Sequence, residues 1–327
     1  RLEGPFGDHT GYYSQDGDYP VFHITAITHR RNPVYLTTIV GKPPQEDLYL
    51  GRATERIFLP LMRTQLPEII DIDMPAEGVF HNLVIVSIDK RFPMQARRLM
   101  NALWGMGQMS FVKIIIVVDQ NINVHDSHTI ISLLLNKIDL QRDLFFSEGI
   151  LDVLNHASDR ALYGSKLGID ATEKIEGEEG FDSEPDTITT DPLPAPEQIL
   201  EKYTELKSCK FIEREGRHRI AFATLDKTCP HQGRRVIDKI MNDQQFSAID
   251  VLIILEGHEE VNNISTVLWK LLNNIDPKRD TYYFNNRLAI DVTRKTGEQG
   301  YMQEWPEEIE MSEEIKKKVD EKWKKLF

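Results

Sequence analysis

An internal repeat restricts the fold of this 327-residue chain more than any other feature. Ile88-Asp89-Lys90, followed by Pro93, Gln95 and Arg97-Arg98, recurs as Leu225-Asp226-Lys227, followed by Pro230, Gln232 and Arg234-Arg235. The offset is 137 (226 − 89), and it also carries Ile138-Asp139 and Arg142-Asp143 onto Ile275-Asp276 and Arg279-Asp280. The apolar run closed by Val118-Asp119 falls on the run closed by Leu255-Glu256. Chance similarity does not hold one register over so long a stretch, so the chain reads as a duplicated unit. Within it, residues 83–88 and 113–118 are short unbroken apolar runs, which suit strands covered on both faces of a parallel sheet. Residues 93–104 have a helical period, with Ala96, Leu99, Met100 and Leu103 on one stripe. Strand alternating with helix is an α/β pattern.

The copies then diverge. Ile169-Asp170-Ala171-Thr172 pairs with Ile290-Asp291-Val292-Thr293 at an offset of 121, so the second copy is shorter by 16 residues (137 − 121), around 147–163. Between the copies, residues 173–196 are acidic and Pro-rich without an apolar period, which predicts a mobile linker. At the end, Ser312-Glu313-Glu314 is a helix-start signal. Ile315, Val319, Trp323 and Phe327 follow on one stripe, opposite a face of mostly Lys. Such a helix docks on its own body or on a second subunit, or lies on a membrane surface. At the beginning, residues 21–28 and 34–40 are rich in β-branched and aromatic side chains and predict antiparallel strands. A helix is expected after Lys42-Pro43-Pro44, running through Leu48, Ile57 and Leu61 and kinked or divided at Pro60.

A net charge of −13 argues against sequence-independent nucleic-acid binding, which needs surplus Lys and Arg. Two cysteines, Cys209 and Cys229, cannot build a disulfide framework, and both are expected as buried or half-buried thiols in a reducing compartment. No apolar run reaches the roughly 18 residues that span a bilayer, and no signal-peptide pattern opens the chain. These features predict a cytoplasmic protein with at most peripheral membrane contact. The first residue is Arg1 and a motif begins almost at once, which reads as a fragment whose upstream part is absent.

The sharpest local signal is Glu3-Gly4-Pro5-Phe6-Gly7-Asp8-His9-Thr10-Gly11-Tyr12. Its glycines and Pro5 force an irregular backbone, and Glu3 and Asp8 flank the turn. Two carboxylates brought close cannot both ionise easily, so one keeps a proton and can serve as a general acid near neutral pH. A polar loop with solvated acids is the alternative. His9 and His23 lack a metal-ligand spacing, and the arginine pairs suit solvated helix faces or structural ion pairs. Gly164-Ser165-Lys166-Leu167-Gly168-Ile169-Asp170 resembles a phosphate cradle only loosely, and no Gly-rich dinucleotide fingerprint follows a strand.

The Glu3–Asp8 motif is similar to the active-site turn of UbiD-family decarboxylases. Val40-Gly41-Lys42-Pro43-Pro44-Gln45-Glu46-Asp47 resembles a second family segment, and residues 164–174 a third. Trp305 and the terminal helix resemble the family's tail. The resemblance implies a split β-barrel that binds the cofactor, followed by an α/β domain. The expected layout is a barrel portion at 1–78, an α/β domain at 79–175, a linker at 176–197, a second α/β repeat at 198–300 and a tail at 301–327. It also implies prenylated FMN, made by a partner flavin prenyltransferase, bound with manganese and a monovalent cation, K+, whose ligands lie mostly upstream. The implied reaction is non-oxidative decarboxylation of an aromatic acid, a hydroxybenzoate or dihydroxynaphthoate, in ubiquinone or menaquinone biosynthesis, by a homo-oligomer. In such enzymes the flavin is the electron sink and an acidic side chain returns a proton. Carried over by position, Asp8 is the proton donor and Glu3 its partner carboxylate. Leu151, Leu154 and His156 border the substrate cavity. The segment alone is expected to be inactive, and the shortened second copy to be an interface module; a non-catalytic assembly role for the whole is the alternative.

Overall fold

A computed structural model describes residues 1–38, 40–182, 193–212, 217–257 and 261–326. The chain divides into two units, residues 1–47 with 306–327 and residues 48–305. In the first, β1 (Leu2–Glu3) pairs antiparallel with β2 (Gly17–Asp18). Among the described residues the strands expected at 21–28 and 34–40 do not form and no closed barrel is present. Phe22, Tyr35 and Leu36 are about nine-tenths exposed there. β-Branched and aromatic residues favour a strand only where a ladder partner and a half-buried face receive them, and this stretch has neither.

The second unit is the duplicated α/β body. After α1 (Asp47–Gln65) come β3 (Ile69–Asp73), β4 (Leu83–Ile88), α2 (Gln95–Trp104), β5 (Ile114–Asp119), α3 (Ser127–Asn136), β6 (Leu144–Ile150) and β7 (Tyr163–Asp170). The second copy supplies α4 (Pro196–Lys202), β8 (Leu206–Phe211), β9 (Ile220–Leu225), α5 (Gln232–Met241), β10 (Val251–Glu256), α6 (Ile264–Asn274), α7 (Pro277–Asp280), β11 (Thr281–Phe284) and β12 (Arg287–Asp291). The two sheets have matching orders, β3-β4-β5-β7-β6 and β8-β9-β10-β12-β11, with a parallel centre and antiparallel edges. Even a register irregularity repeats, between Ile69 and Asp71 in one copy and Leu206 and Ser208 in the other. The 16-residue difference falls in the β6–β7 hairpin: the connection over residues 151–162 becomes the turn Asn285-Asn286, with Asn285 at φ +55°, and the strands β11 and β12 are each shorter than β6 and β7.

The predicted stripe of α2 is wholly buried, and β5 is an unbroken buried run as expected for a central parallel strand. One apolar cluster is shared by both copies, joining Ile116, Val118 and Leu133 to Phe222, Ile253 and Leu272. Separate clusters pack α1 and α2 on the first sheet and α4 and α5 on the second. The copies also exchange polar contacts reciprocally. Asn82 at the start of β4 donates to Asn273 of α6 at 2.9 Å, while the His218 amide before β9 donates to Leu135 of α3 at 2.9 Å. Lys113 is fully buried in this seam, donating to Asn155 at 3.0 Å, and burial pushes its ammonium down to about 7.

Three expectations change in this unit. Helix α1 is not divided at Pro60: Gly51, Glu55, Leu59 and Met62 bury one face on both sides of it, while Ile57 and Leu61 are exposed. Of the supposed linker, residues 183–192 lie outside the described residues, but its beginning is anchored. Glu178 is buried and binds Lys90 at 2.5 Å, the Met94 amide at 2.7 Å and the Ile175 amide at 3.0 Å. Cys229 is exposed, and its thiol, 2.9 Å from Arg235, is held below the usual range, while burial pushes Cys209 up to about 12. The arginine pairs make structural contacts: Arg98 pairs with Glu68, and Arg234 with Asp238.

In the first unit, α8 (Glu313–Leu326) begins where Ser312 signals it, the Ser312 hydroxyl accepting from the Ile315 amide at 3.4 Å. Ile315, Val319 and Trp323 are 46–61% exposed, so described residues of this unit do not cover the stripe. Phe327 lies outside the described residues. No described helix is long and apolar enough to cross a membrane.

Candidate active site

The glycine-rich motif folds as a closed loop. The Ser14 amide donates to the Phe6 carbonyl at 2.8 Å, the Phe6 amide to the Ser14 hydroxyl at 3.2 Å, and the Asp8 amide to the Tyr12 carbonyl at 3.2 Å. Gly11, at φ +86°, reverses the chain and returns its amide to the Asp8 carbonyl at 3.1 Å. Gly7 is closely packed: a Cβ there would lie 2.9 Å from the Ile309 and 3.0 Å from the Val40 side chain, which would have to shift. The turn thereby fixes Asp8, about a quarter exposed, on a backbone bonded on both sides.

The Asp8 Oδ1 accepts the His9 amide at 2.7 Å and lies 3.0 Å from His9 Nδ1. The second motif segment closes over this pair. Gln45 Nε2 donates to the His9 carbonyl at 3.0 Å and to Gly41, and Gln45 Oε1 accepts the Gly41 amide at 3.2 Å. Asp47 stands beside them. Burial pushes its carboxyl up, His9 opposes this, and the negative charges of Glu46 and Asp8 add to it. A half-buried aspartate, an imidazole and a second acid reluctant to ionise form a group able to hold and pass a proton.

Glu3 is exposed on β1 and lines a shallow cleft of about 340 Å³ with Arg1, Tyr19 and Phe22, which Asp8 does not line. The structure thus brings Asp8 together with His9, Gln45 and Asp47. Of the candidates in the second unit, Leu151 and His156 are buried and Leu154 half-buried. His156 bonds Asn274 at 2.9 Å, meets Trp305 edge-on at 4.8 Å, and its carbonyl accepts the Tyr301 hydroxyl at 2.7 Å. The Gly164–Asp170 segment is strand β7. Its glycines serve close packing: a Cβ at Gly164 would collide with Ser158 and lie 2.8 Å from Asp276 and Leu151, and one at Gly168 would collide with Met100. Lys166 is buried, donating at 2.8 Å to the carbonyls of Ser110 and Val112, and burial lowers it to about 8. Those residues hold a strand in place and cradle no phosphate.

Residue-by-residue reading missed Asp47 and Gln45. Their signal was position, at the end of the second motif just before a helix, but nothing local says that this segment folds back onto His9.

Residues 48–171 and 194–308 each match the C-terminal domain of 3-octaprenyl-4-hydroxybenzoate carboxy-lyase, one match per copy. Residues 1–43 match the Rift-related domain of the same enzyme. An uncharacterized protein of Helicobacter pylori is 38% identical over 97% of this chain and 51% of its own length. One from Archaeoglobus fulgidus is 52% identical over 58% of this chain and 40% of its own. The chain spans about half the length of such relatives, or less. Among solved structures, vanillic acid decarboxylase of Sedimentibacter hydroxybenzoicus shares the fold, with a TM-score of 0.50 and 24% identity over 62% of this chain and 42% of that one. With both α/β copies and the opening segment matched in order, the chain belongs to the UbiD family of carboxy-lyases.

Proposed function

We propose that the full-length gene product removes carbon dioxide, without net oxidation, from an aromatic acid, using bound prenylated FMN and Asp8 as proton donor. The observation that carries this is the closed Phe6–Ser14 loop, which presents Asp8 half-buried against His9 in a chain whose family consists of carboxy-lyases. Loss of the carboxylate leaves an electron pair in an orbital the aromatic ring does not stabilise. The bound flavin supplies the electron sink for that step. What the protein must add is a proton at the ring carbon, and a positioned acid contributes about 10²–10⁴-fold. Asp8 is that acid, and the His9 ring 3.0 Å away is placed to restore its proton. Asp47, whose carboxyl burial pushes up, is a second acid beside His9 that can share the proton. Glu3, the partner carboxylate in the family's reading, lines a separate cleft with Phe22.

The donor set fits the proton-handling part of this cofactor's chemistry. It does not supply the implied metals: among the described residues of the first unit no three His, Cys, Asp or Glu side chains cluster. Leu151, Leu154 and His156 are assigned to the substrate side, and the substrate to the hydroxybenzoate or dihydroxynaphthoate class of quinone precursors. The test is the absorption spectrum and intact mass of the full-length gene product made together with a flavin prenyltransferase. A bound flavin heavier than FMN by a prenyl group is expected; unmodified FMN alone, or no flavin, would overturn the reading.

A further inference from the structure

The structure assigns a divalent-cation site to Glu55, Asp73 and His125, suited to a first-row ion such as Zn2+ or Mn2+, which ties helix α1 to the edge strand β3 and to the loop after β5. One potential ligand atom from each residue lies within 4.8 Å of the other two. Two carboxylates and an imidazole are the donor mixture that such ions accept, while an all-oxygen set would favour Mg2+ or Ca2+.

Glu55 is the residue that nothing else explains. It sits on the buried face of α1, 1% exposed, between Gly51 and Leu59. Its Oε1 accepts the Met74 amide at 2.6 Å, but its buried Oε2 has no hydrogen-bond partner. The Arg56 guanidinium approaches that oxygen only to 3.7 Å, beyond hydrogen-bond reach. A buried carboxylate with an unfilled oxygen is costly unless something positive occupies the space beside it.

The other two residues are arranged as ligands are. His125 Nδ1 lies 2.8 Å from Asp73 Oδ1, close to the ~3 Å separation of two atoms bound to one ion. Its Nε2 lies 3.2 Å from Asp71 Oδ2, and Asp71 is held at 2.7 Å by Arg56. A metal-bound histidine typically gives its second ring N–H to a carboxylate in this way. Arg52, Arg56 and Asp71 are the other charged groups around the three residues.

The fold alone does not demand this cluster. In the second copy, which repeats β3 down to its irregularity, the offset of 137 places Ser208 at Asp71, Lys210 at Asp73 and Asn262 at His125. There a lysine stands in place of Asp73, a serine in place of Asp71 and an asparagine in place of His125.

The test uses the full-length gene product, stripped with chelator and dialysed separately against Zn2+, Mn2+ and Mg2+, with metal counted by mass spectrometry and unfolding followed thermally. The wild type should retain one more equivalent of Zn2+ or Mn2+ than either Glu55→Gln or His125→Asn. The ion should raise its Tm by about 5 °C and leave both variants unmoved. His125 is 40% exposed, so its replacement spares the core and stands even if Glu55→Gln fails to fold. Equal metal counts in wild type and His125→Asn, or a Tm insensitive to all three ions, would overturn the assignment.

Discussion

Replacing Asp8 with Asn in the cofactor-loaded gene product is expected to lower turnover by at least ~100-fold while the flavin remains bound. Asn keeps the size of the side chain and an oxygen for the His9 amide, which Asp8 accepts at 2.7 Å, so the loop should stay closed. What Asn lacks is a proton to give. Steady-state carbon dioxide release, set beside the flavin absorbance of the same sample, separates the two effects. Lost turnover with full flavin content supports Asp8 as the donor. Unchanged turnover removes it from that role, and lost flavin would assign it to cofactor retention instead.

Replacing Glu178 with Ala is expected to cost ~3 kcal/mol of stability, because it leaves the buried Lys90 ammonium without its carboxylate. Thr172 and the Glu173 carbonyl still accept from Lys90, at 2.9 and 2.8 Å, which keeps the loss at the lower end for a broken buried pair. Urea midpoints measure it, and a loss below 1 kcal/mol would show that the pair is not structural. The acid side provides a second readout. Burial alone would raise the Glu178 carboxyl, but Lys90 and the amides of Met94 and Ile175 outweigh it and hold it below its usual 4.5. A carboxyl held lower in the folded chain binds fewer protons there. Its stabilisation is therefore complete above about 4.5 and is lost as pH falls through the folded value. Glu178→Gln should flatten that part of the stability–pH curve.

The body of the fold was legible because its signals are periodic and occur twice. The stripe Ala96, Leu99, Met100 and Leu103 and the runs ending at Asp119 and Glu256 depend on burial against neighbours within the same unit, so local pattern and final packing coincide. The same logic failed where packing is supplied from elsewhere or runs against the obvious stripe. Residues 21–28 and 34–40 have strand composition without a ladder among the described residues. In α1 the conspicuous Ile57 and Leu61 face outward, while the buried face carries the charged Glu55, a choice that apolar counting cannot make. Of the candidate site, the acid at Asp8 could be singled out from the turn chemistry around it. Asp47 and Gln45 could not, because they reach His9 across 36 residues or more through a fold-back that no local propensity encodes. The shared core between the copies was equally hidden, since a repeat predicts two similar sheets but not that Asn82 should meet Asn273.

The most direct test is carbon dioxide release from a panel of hydroxybenzoic and dihydroxynaphthoic acids by the gene product loaded with prenylated FMN, beside the same protein loaded with unmodified FMN. Release from at least one acid with the modified flavin only is the predicted result. Fully loaded protein that releases none from any member of the panel would contradict the proposal that this chain belongs to an aromatic acid decarboxylase.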